Sequence, residues 1–196
     1  MKRKITIFLD RDGVINEKPK EGDYVKCPEE LKLIDGSAEA IRMFNLNDFL
    51  VIVITNQRGV GKGIISYENF RQVMDKMENE LRKEGAHIDA YYFSPDVEED
   101  SYNRKPNIGL FKKAKKDFLY IDFNRSFVIG DSWRDIEAGK RIGANTVLIG
   151  NNSFIKPDFY ADNLLQAAQI IINYYKNIQE DELIKVGEIK KNILKK

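Results

Sequence analysis

The chain has 196 residues, enough for one domain with a core of ordinary size. Its formal net charge of +1 argues against a nucleic-acid or membrane partner, because such partners select a pronounced basic excess. A single cysteine, Cys27, excludes an intrachain disulfide and any metal site built from several cysteines. No apolar stretch reaches membrane-spanning length and no signal pattern opens the chain, so we expect a cytoplasmic protein. We also expect it to act as a monomer.

Strand-like and helix-like segments alternate along the chain. Short apolar runs rich in β-branched residues predict strands, and apolar residues at spacings of three and four predict helices. In chain order, the prediction is a strand at 5–9, a loop at 16–30, a helix at about 35–47, a strand at 50–54, a helix from Ser66 to about Gly85, a strand at 88–93, a helix opened by Pro106, a strand at 126–129, a helix at 132–141, a strand at 145–149 and a helix at 162–177.

This alternation requires crossover helices between parallel strands. We therefore expect an α/β fold, a Rossmann-like doubly wound parallel sheet of about five strands with helices on both faces. The domain is expected to span residues 1–177, and residues 178–196 are expected to form a charged helical extension or tail.

Polar residues stand where the predicted strands end. Asp10 and Asp12 follow the first strand, Thr55 the second and Asp131 the fourth, while Lys105 precedes a helix. In a parallel sheet these positions share one edge. Carboxylates this close would repel by about 4 kcal/mol per pair at ~4 Å and an effective dielectric near 20. A hard divalent cation removes that cost, and ligands that are all oxygen favour Mg²⁺.

This set of groups indicates phosphoryl transfer. A hydroxyl and an amine beside a metal ion suit the charge of a phosphoryl group, which Thr55 and Lys105 would hold. Asp10, at the strand end, is then the nucleophile that forms an aspartyl phosphate. Asp12 can protonate the leaving oxygen and later take a proton from water.

Four segments, in order, resemble the motifs of the haloacid dehalogenase superfamily of Mg²⁺-dependent phosphatases. They are Asp10–Asn16, Thr55–Gln57, Arg104–Pro106 and Gly130–Asp135. Within that superfamily, the segments are most similar to the D-glycero-D-manno-heptose 1,7-bisphosphate phosphatases and the histidinol-phosphate phosphatases, which share a minimal cap. The resemblance covers about residues 5–150.

The resemblance implies a role for each matching residue. Asp10 would be nucleophile and metal ligand, Asp12 would move the proton and bind the metal through its backbone carbonyl, and Asp131 would be the third ligand. Asp135 would support the ligands from behind, and Arg104 would recognise the distal part of the substrate. The full set of implied substrate contacts is Arg11, Gly22, Asp23, Tyr24, Val25, Asn56, Gln57, Arg104 and Ser132.

One departure from the family pattern concerns zinc. Many of these phosphatases carry Cys and His residues around the loop before the Arg-Lys-Pro motif. The matching positions here are Phe93, Pro95, Ser101 and Asn103, and none supplies a thiolate or imidazole, so no structural zinc is expected.

Several functions share this chemistry. The favoured interpretation is hydrolysis of a small sugar phosphate, a heptose 1,7-bisphosphate first, with histidinol phosphate or another small metabolite as the alternative. A polynucleotide 3′-phosphatase would need a basic, aromatic-lined groove for the strand. A noncatalytic phosphoacceptor module would not need an acid at Asp12, because it does not protonate a leaving group.

Overall fold

The computed structural model describes residues 4–20, 22–151, 154 and 156–193, with side chains described up to residue 178. Its strands form one sheet in which every pairing is parallel, in the order β3-β2-β1-β4-β5-β6. The strands are β1 (Thr6–Leu9), β2 (Leu50–Asn56), β3 (Ala90–Ser94), β4 (Phe127–Gly130), β5 (Asn145–Ile149) and β6 (Phe159–Ala161).

Helices cover both faces of the sheet, so the predicted doubly wound α/β architecture is confirmed. The helices are α1 (Ser37–Leu46), α2 (Arg58–Gly61), α3 (Tyr67–Lys83), α4 (Gly109–Asp117), α5 (Trp133–Ile142) and α6 (Leu164–Ile193). Short 3₁₀ turns stand at Pro28–Glu30 and Phe123–Arg125.

Alternation along β1 explains the two-sided core. Ile7 and Leu9 face the cluster formed by α1, α3 and α6, whereas Phe8 faces the opposite side. There the Phe8 ring packs edge-on against Phe111 of α4, with ring centroids 5.1 Å apart. A strand buried on both faces reads as a continuous apolar run, which is what the sequence shows.

Several elements differ from the sequence prediction, and the four-residue helix α2 was not predicted. A sixth strand, β6, joins the sheet but has only three residues, too few to show a periodic pattern. Helix α4 begins at Gly109 rather than at Pro106, because Lys105 and Pro106 belong to the turn that delivers the lysine to the site. Helix α6 continues to Ile193, past residue 177, after which a helical extension or tail was expected.

The sheet order places the site. β1 lies between β2 and β4, and their carboxyl ends share one edge, as Asp10, Thr55 and Asp131 require. The loop between β1 and α1 passes over this edge and brings Lys18 to Asp131. None of the helices in the described ranges is both long and apolar enough to span a bilayer.

Candidate active site

Three carboxylates converge at the carboxyl edge of the sheet. Asp10, Asp131 and Asp135 each present an oxygen, and these oxygens lie within 4.8 Å of one another. Asp10 directly follows β1, Asp131 directly follows β4, and Asp135 lies in the first turn of α5. A cavity of about 350 Å³ opens over them. The fold thus brings Asp10 close to Asp131 and Asp135, which follow it by more than a hundred residues in the sequence.

A glycine allows this close approach. Gly13 has a φ of +84°, and a Cβ at this position would stand 2.3 Å from Oδ2 of Asp131. Any larger residue would push the turn after β1 away from the carboxylate of β4. The turn and the acid can therefore share the site only because position 13 lacks a side chain.

Lys105 is the buried cation of the cluster. Its Nζ lies 2.9 Å from Oδ1 of Asp10 and 2.6 Å from Oδ1 of Asp135, and it donates to the backbone oxygen of Ile54. Burial disfavours its charge, but the two carboxylates outweigh burial and raise the pKa of Lys105. The lysine therefore stays charged and can face a phosphoryl oxygen.

Asn56 fixes the backbone from which Lys105 projects. Its Nδ2 donates to the Lys105 oxygen at 3.1 Å, and its Oδ1 accepts from the Lys105 nitrogen at 3.0 Å. These reciprocal bonds tie the end of β2 to the lysine turn. Asn56 also lines the cavity, so it is placed both to position Lys105 and to meet substrate.

One lysine does not neutralise the acids around it. Burial raises the pKa of Asp10 to about 7, and the charges of Asp135, Asp131 and Asp12 add to that effect while Lys105 opposes it. Burial likewise raises the pKa of Asp131, although the Lys18 ammonium 2.6 Å from Oδ2 opposes the rise. The carboxylates therefore lack positive charge, which a divalent cation would supply.

The residues present fit Mg²⁺. Every candidate ligand is an oxygen, and Asp10 and Asp131 line the cavity. Asp135 is already engaged, because Oδ1 contacts Lys105 while Oδ2 accepts from the backbone nitrogen and hydroxyl of Ser132. That capping interaction begins α5 and fixes the orientation of the Asp135 carboxylate beside Lys105.

Asp12 has different neighbours from Asp10. Its carboxylate accepts hydrogen bonds from Arg11 Nη2 at 2.7 Å, Asn16 Nδ2 at 2.9 Å and Gln57 Nε2 at 2.9 Å. Burial alone would raise the pKa of Asp12, but the Arg11 charge and these hydrogen bonds outweigh it and lower the pKa. Asp12 is therefore ionised at neutral pH in the free protein.

Gln57 connects the proton-transfer group to the phosphoryl-binding group. Its Nε2 donates to Asp12 Oδ2 at 2.9 Å and to Thr55 Oγ1 at 3.0 Å. The Thr55 hydroxyl thus accepts from Gln57 and keeps its own proton for another acceptor. Thr55 lines the cavity, so a phosphoryl oxygen can take that proton.

The sequence-predicted residues divide into two groups. All proposed catalytic and metal residues line the cavity, as do Gly22, Asp23, Tyr24, Asn56, Arg104 and Ser132. Arg11, Val25 and Gln57 are instead buried and do not contribute to the cavity lining. The Arg11 guanidinium lies under α3, 5.9 Å from the centre of the Phe70 ring, where it orients Asp12 rather than facing a ligand.

Sequence reasoning missed two arginines. Arg58 and Arg134 line the same cavity as Arg104. Burial lowers the pKa of Arg104, and the charges of Arg58 and Arg134 lower it further. Arg58 Nε is buried and makes no hydrogen bond within the described part of the chain. Their one sequence signal is position, since Arg58 directly follows Thr55–Gln57 and Arg134 lies within Gly130–Asp135.

We refer to Arg58, Arg104 and Arg134 as the arginine cluster. Like charges gathered at a cavity wall favour an anionic ligand, and an unpaired buried donor favours it further. The lining of one cavity thus includes metal-binding acids, which we call the acidic end, together with an arginine cluster suited to an anion. Lys18 and Lys20 add positive charge to its lining.

The loop at 94–103 is held by polar contacts among the described residues. Arg104 Nη1 donates to the Val97 oxygen, and Asn107 Nδ2 donates to the oxygens of Asp100 and Ser101, both at 3.0 Å. The Ser94 hydroxyl accepts from the Asp96 nitrogen at 3.2 Å. Backbone oxygens of the loop are thus satisfied by side chains that flank it.

Comparison with known proteins identifies the family. A family model described as polynucleotide kinase 3 phosphatase matches residues 4–179. A D-glycero-alpha-D-manno-heptose-1,7-bisphosphate 7-phosphatase of Campylobacter jejuni is 34% identical over 176 residues, covering 90% of this chain and 98% of the relative. The chain belongs to the heptose bisphosphate phosphatases of the haloacid dehalogenase superfamily.

Two further matches support this family assignment. A D-glycero-beta-D-manno-heptose-1,7-bisphosphate 7-phosphatase of Rhodopseudomonas palustris is 41% identical over 149 residues, 72% of this chain and 81% of the relative. A solved structure of D,D-heptose 1,7-bisphosphate phosphatase from B. bronchiseptica, complexed with magnesium and phosphate, superimposes with a TM-score of 0.79 at 27% identity, covering 87% of this chain and 99% of that one. The expected superfamily, fold and enzyme class, a phosphoric monoester hydrolase, are confirmed.

Proposed function

We propose that this phosphatase removes the 7-phosphate from a D-glycero-D-manno-heptose 1,7-bisphosphate, with Mg²⁺ as its cofactor. The observation that carries the proposal is the pairing, in one cavity, of a metal-binding acidic end with the arginine cluster. A bisphosphate offers one phosphoryl group to each end. The names of the relatives agree with this substrate, and they include both anomers, so the anomer is a question for experiment.

The first chemical step uses Asp10 and Asp12. An Asp10 carboxylate oxygen attacks the phosphorus, the bond from phosphorus to the sugar oxygen breaks, and Asp12 gives its proton to that oxygen. Thr55 and the Lys105 ammonium hold the phosphoryl oxygens as charge develops on them. Bound Mg²⁺ would be held by Asp10, Asp131 and the Asp12 backbone oxygen, and it would neutralise the approaching phosphate.

The second step regenerates the enzyme. Asp12, now ionised, takes a proton from water as the water oxygen attacks the phosphorus of the aspartyl phosphate. The bond from phosphorus to Asp10 breaks and inorganic phosphate leaves. The hydrogen bonds from Arg11, Asn16 and Gln57 favour the ionised Asp12 that this step needs.

The same proposal includes the binding partners, the oligomeric state and the cellular location. We propose a cytoplasmic monomer that acts on a small sugar phosphate without a nucleic-acid or membrane partner, and without structural zinc. The alternative that a specific observation favours is a polynucleotide 3′-phosphatase, because the matching family model carries that description. A strand would bind by stacking on aromatic rings, and Tyr24 is the aromatic residue among the cavity-lining residues.

A phosphate-release panel tests the proposal. With Mg²⁺, the purified protein is given both anomers of the heptose 1,7-bisphosphate, heptose 7-phosphate, histidinol phosphate and a 3′-phosphorylated oligonucleotide. We expect the highest kcat/KM for one bisphosphate anomer, by at least about tenfold over the 7-phosphate, the factor that about 1.4 kcal/mol of distal binding gives. An equal or higher kcat/KM for the oligonucleotide would reject the proposal.

The arginine cluster provides the matched control. Arg58→Gln should reduce the preference for the bisphosphate over the 7-phosphate, because the 7-phosphate has no distal charge to lose. The kcat for the 7-phosphate should stay close to that of the wild type. Chelation of Mg²⁺ should abolish turnover of every substrate.

A further inference from the structure

Among the described residues, one carboxylate outside the catalytic set, that of Glu99, forms ion pairs with the arginine cluster. Oε1 of Glu99 lies 3.6 Å from Nη2 of Arg104 and 3.5 Å from Nη2 of Arg134. Glu99 belongs to the loop at 94–103, its side chain is 76% exposed, and it is not part of the cavity lining. One oxygen of this solvent-exposed carboxylate therefore contacts two guanidinium groups.

Both arginines have contacts other than Glu99 that orient them. Arg104 is 3% exposed and donates through Nη1 to the Val97 oxygen, so packing and a backbone acceptor fix it. The Arg134 guanidinium stacks on the ring of Trp133, with 4.8 Å from Cζ to the ring centre. What Glu99 changes is the charge that these arginines present to a ligand.

We propose that Glu99 competes with the distal phosphate of the substrate for Arg104 and Arg134. Glu99 partly neutralises these arginines in the free enzyme and pairs with them again when the product leaves. The geometry suits exchange rather than permanent pairing, because both contacts are long and the carboxylate is solvated. Exposed ion pairs are weak, so a phosphate dianion bound inside the cavity can displace them.

The consequence for turnover rests on the proposed function. Hydrolysis at C7 leaves a heptose 1-phosphate whose remaining phosphate still binds the arginine cluster. A cluster with its full charge would hold that product and slow the next cycle. A weak carboxylate competitor lowers the affinity for product while the reaction at the acidic end is unaffected, because Glu99 contacts none of the catalytic groups in the described part of the chain.

The test is product inhibition of Glu99→Gln, with Glu98→Gln as the matched control. Glu98 is an exposed neighbour on the same loop. Within the described part of the chain, its side chain makes no contact with the arginine cluster. In Glu99→Gln we expect the inhibition constant of heptose 1-phosphate and the KM of the bisphosphate to fall about two- to fivefold, the range of an exposed pair. The kinetic constants for heptose 7-phosphate, which lacks the distal group, should stay unchanged.

The possible results separate the two proposals. If the wild type prefers the bisphosphate to the 7-phosphate but Glu99→Gln binds heptose 1-phosphate like the wild type, the competitor role is wrong and the proposed function stands. Weaker product binding in Glu99→Gln would show that Glu99 orients the arginines, which also overturns the inference. A wild type that does not distinguish the two substrates would refute the proposed function, and the inference with it. Equal effects in Glu98→Gln would assign the change to general surface charge and reject a specific role.

Discussion

Asp10 and Asp12 are separated by one residue, but their surroundings shift their pKa values in opposite directions. Burial raises the pKa of Asp10 to about 7, whereas the donors around Asp12 outweigh burial and lower its pKa. Asp12 must therefore gain a proton before it can act as an acid. A phosphoryl dianion beside it would raise its pKa by like-charge repulsion, so substrate binding itself favours the acid form.

This division of roles gives a prediction for Asp12→Asn. We expect kcat for a sugar phosphate to fall by about 10²- to 10⁴-fold, the usual contribution of a general acid or base. An aryl phosphate, whose leaving group departs without a proton, should still release its phenol in the first turnover. Rapid-mixing measurements of that first turnover with the two kinds of substrate provide the comparison.

The fold of this variant is checked separately by thermal unfolding. Asn keeps an oxygen acceptor toward the buried Arg11, so we expect a cooperative transition at a somewhat lower temperature. Equal loss of the first turnover with both substrates would contradict the acid role of Asp12.

The residues that sequence reasoning placed well are those whose position follows from a strand end. Asp10, Thr55 and Asp131 needed only the prediction of a parallel sheet. Arg11 could not be placed in this way, because its burial depends on α3 packing over the turn and supplying Phe70 and Met74 as neighbours. Arg58 and Arg134 were missed for the same reason, since they meet Arg104 only when α2, α5 and the lysine turn pack around one cavity.

At the scale of elements, the turn after β1 is the most constrained connection near the site. It must bring Asp12 beside β2 and leave room for the carboxylate that follows β4. Gly13 satisfies both demands with a positive φ and no side chain. The neighbouring end of β4 has a similar restriction, because a Cβ on Gly130 would stand 2.1 Å from Cβ of Asp135.

A comparison of Gly13→Ala with Gly63→Ala separates backbone strain from steric crowding by the added Cβ. Both glycines have positive φ, at +84° and +69°, but a Cβ on Gly63 would meet nothing within 4 Å. Each variant should lose about 1 kcal/mol of stability from the left-handed backbone alone. Gly13→Ala should lose more, and calorimetric titration should show weaker Mg²⁺ binding in that variant only. Wild-type Mg²⁺ affinity in Gly13→Ala would contradict the proposed part of Asp131 in the metal site.

Element boundaries show which parts of the fold follow from local sequence patterns and which depend on tertiary contacts. The amphipathic helix α3 begins where Ser66 was predicted to cap it, and the Ser66 hydroxyl accepts from the Asn69 nitrogen at 3.0 Å. β6 has no such signal, because its three residues become a strand by pairing with β5. The start of α4 was predicted at Pro106 from that proline alone. The helix begins at Gly109 instead, because Lys105 and Pro106 belong to the turn that places the lysine in the site.

At the scale of the whole molecule, α6 joins the domain to its extension. Its first nine residues bury Leu164, Ala167, Ala168, Ile171 and Ile172 against α1 and the sheet. Tyr175 then packs edge-on against Phe49, with ring centroids 5.3 Å apart. The family model ends at residue 179, close to the expected boundary. We propose that the catalytic unit is complete at about this point.

A chain shortened to residues 1–178 tests that proposal. We expect its unfolding temperature to lie within a few degrees of the full chain, because the buried part of α6 is retained. Its Mg²⁺-dependent kcat/KM should agree with the full chain within about twofold. Size-exclusion chromatography of both chains should give a monomer. Aggregation or loss of activity in the short chain would show that residues 179–196 contribute to folding or assembly.

The position of β1 in the sheet has a consequence for thermal fluctuations. The strands that carry Asp10, Thr55 and Asp131 are β1 and its two neighbours, and each of the three is hydrogen-bonded on both sides. Fraying begins at sheet edges, which here are β3 and β6, so the reacting groups stand on the part of the molecule that opens last. Arg58, Arg104 and Arg134 stand on short helices and turns instead. In evolution, substrate preference can therefore drift while the reaction itself is preserved.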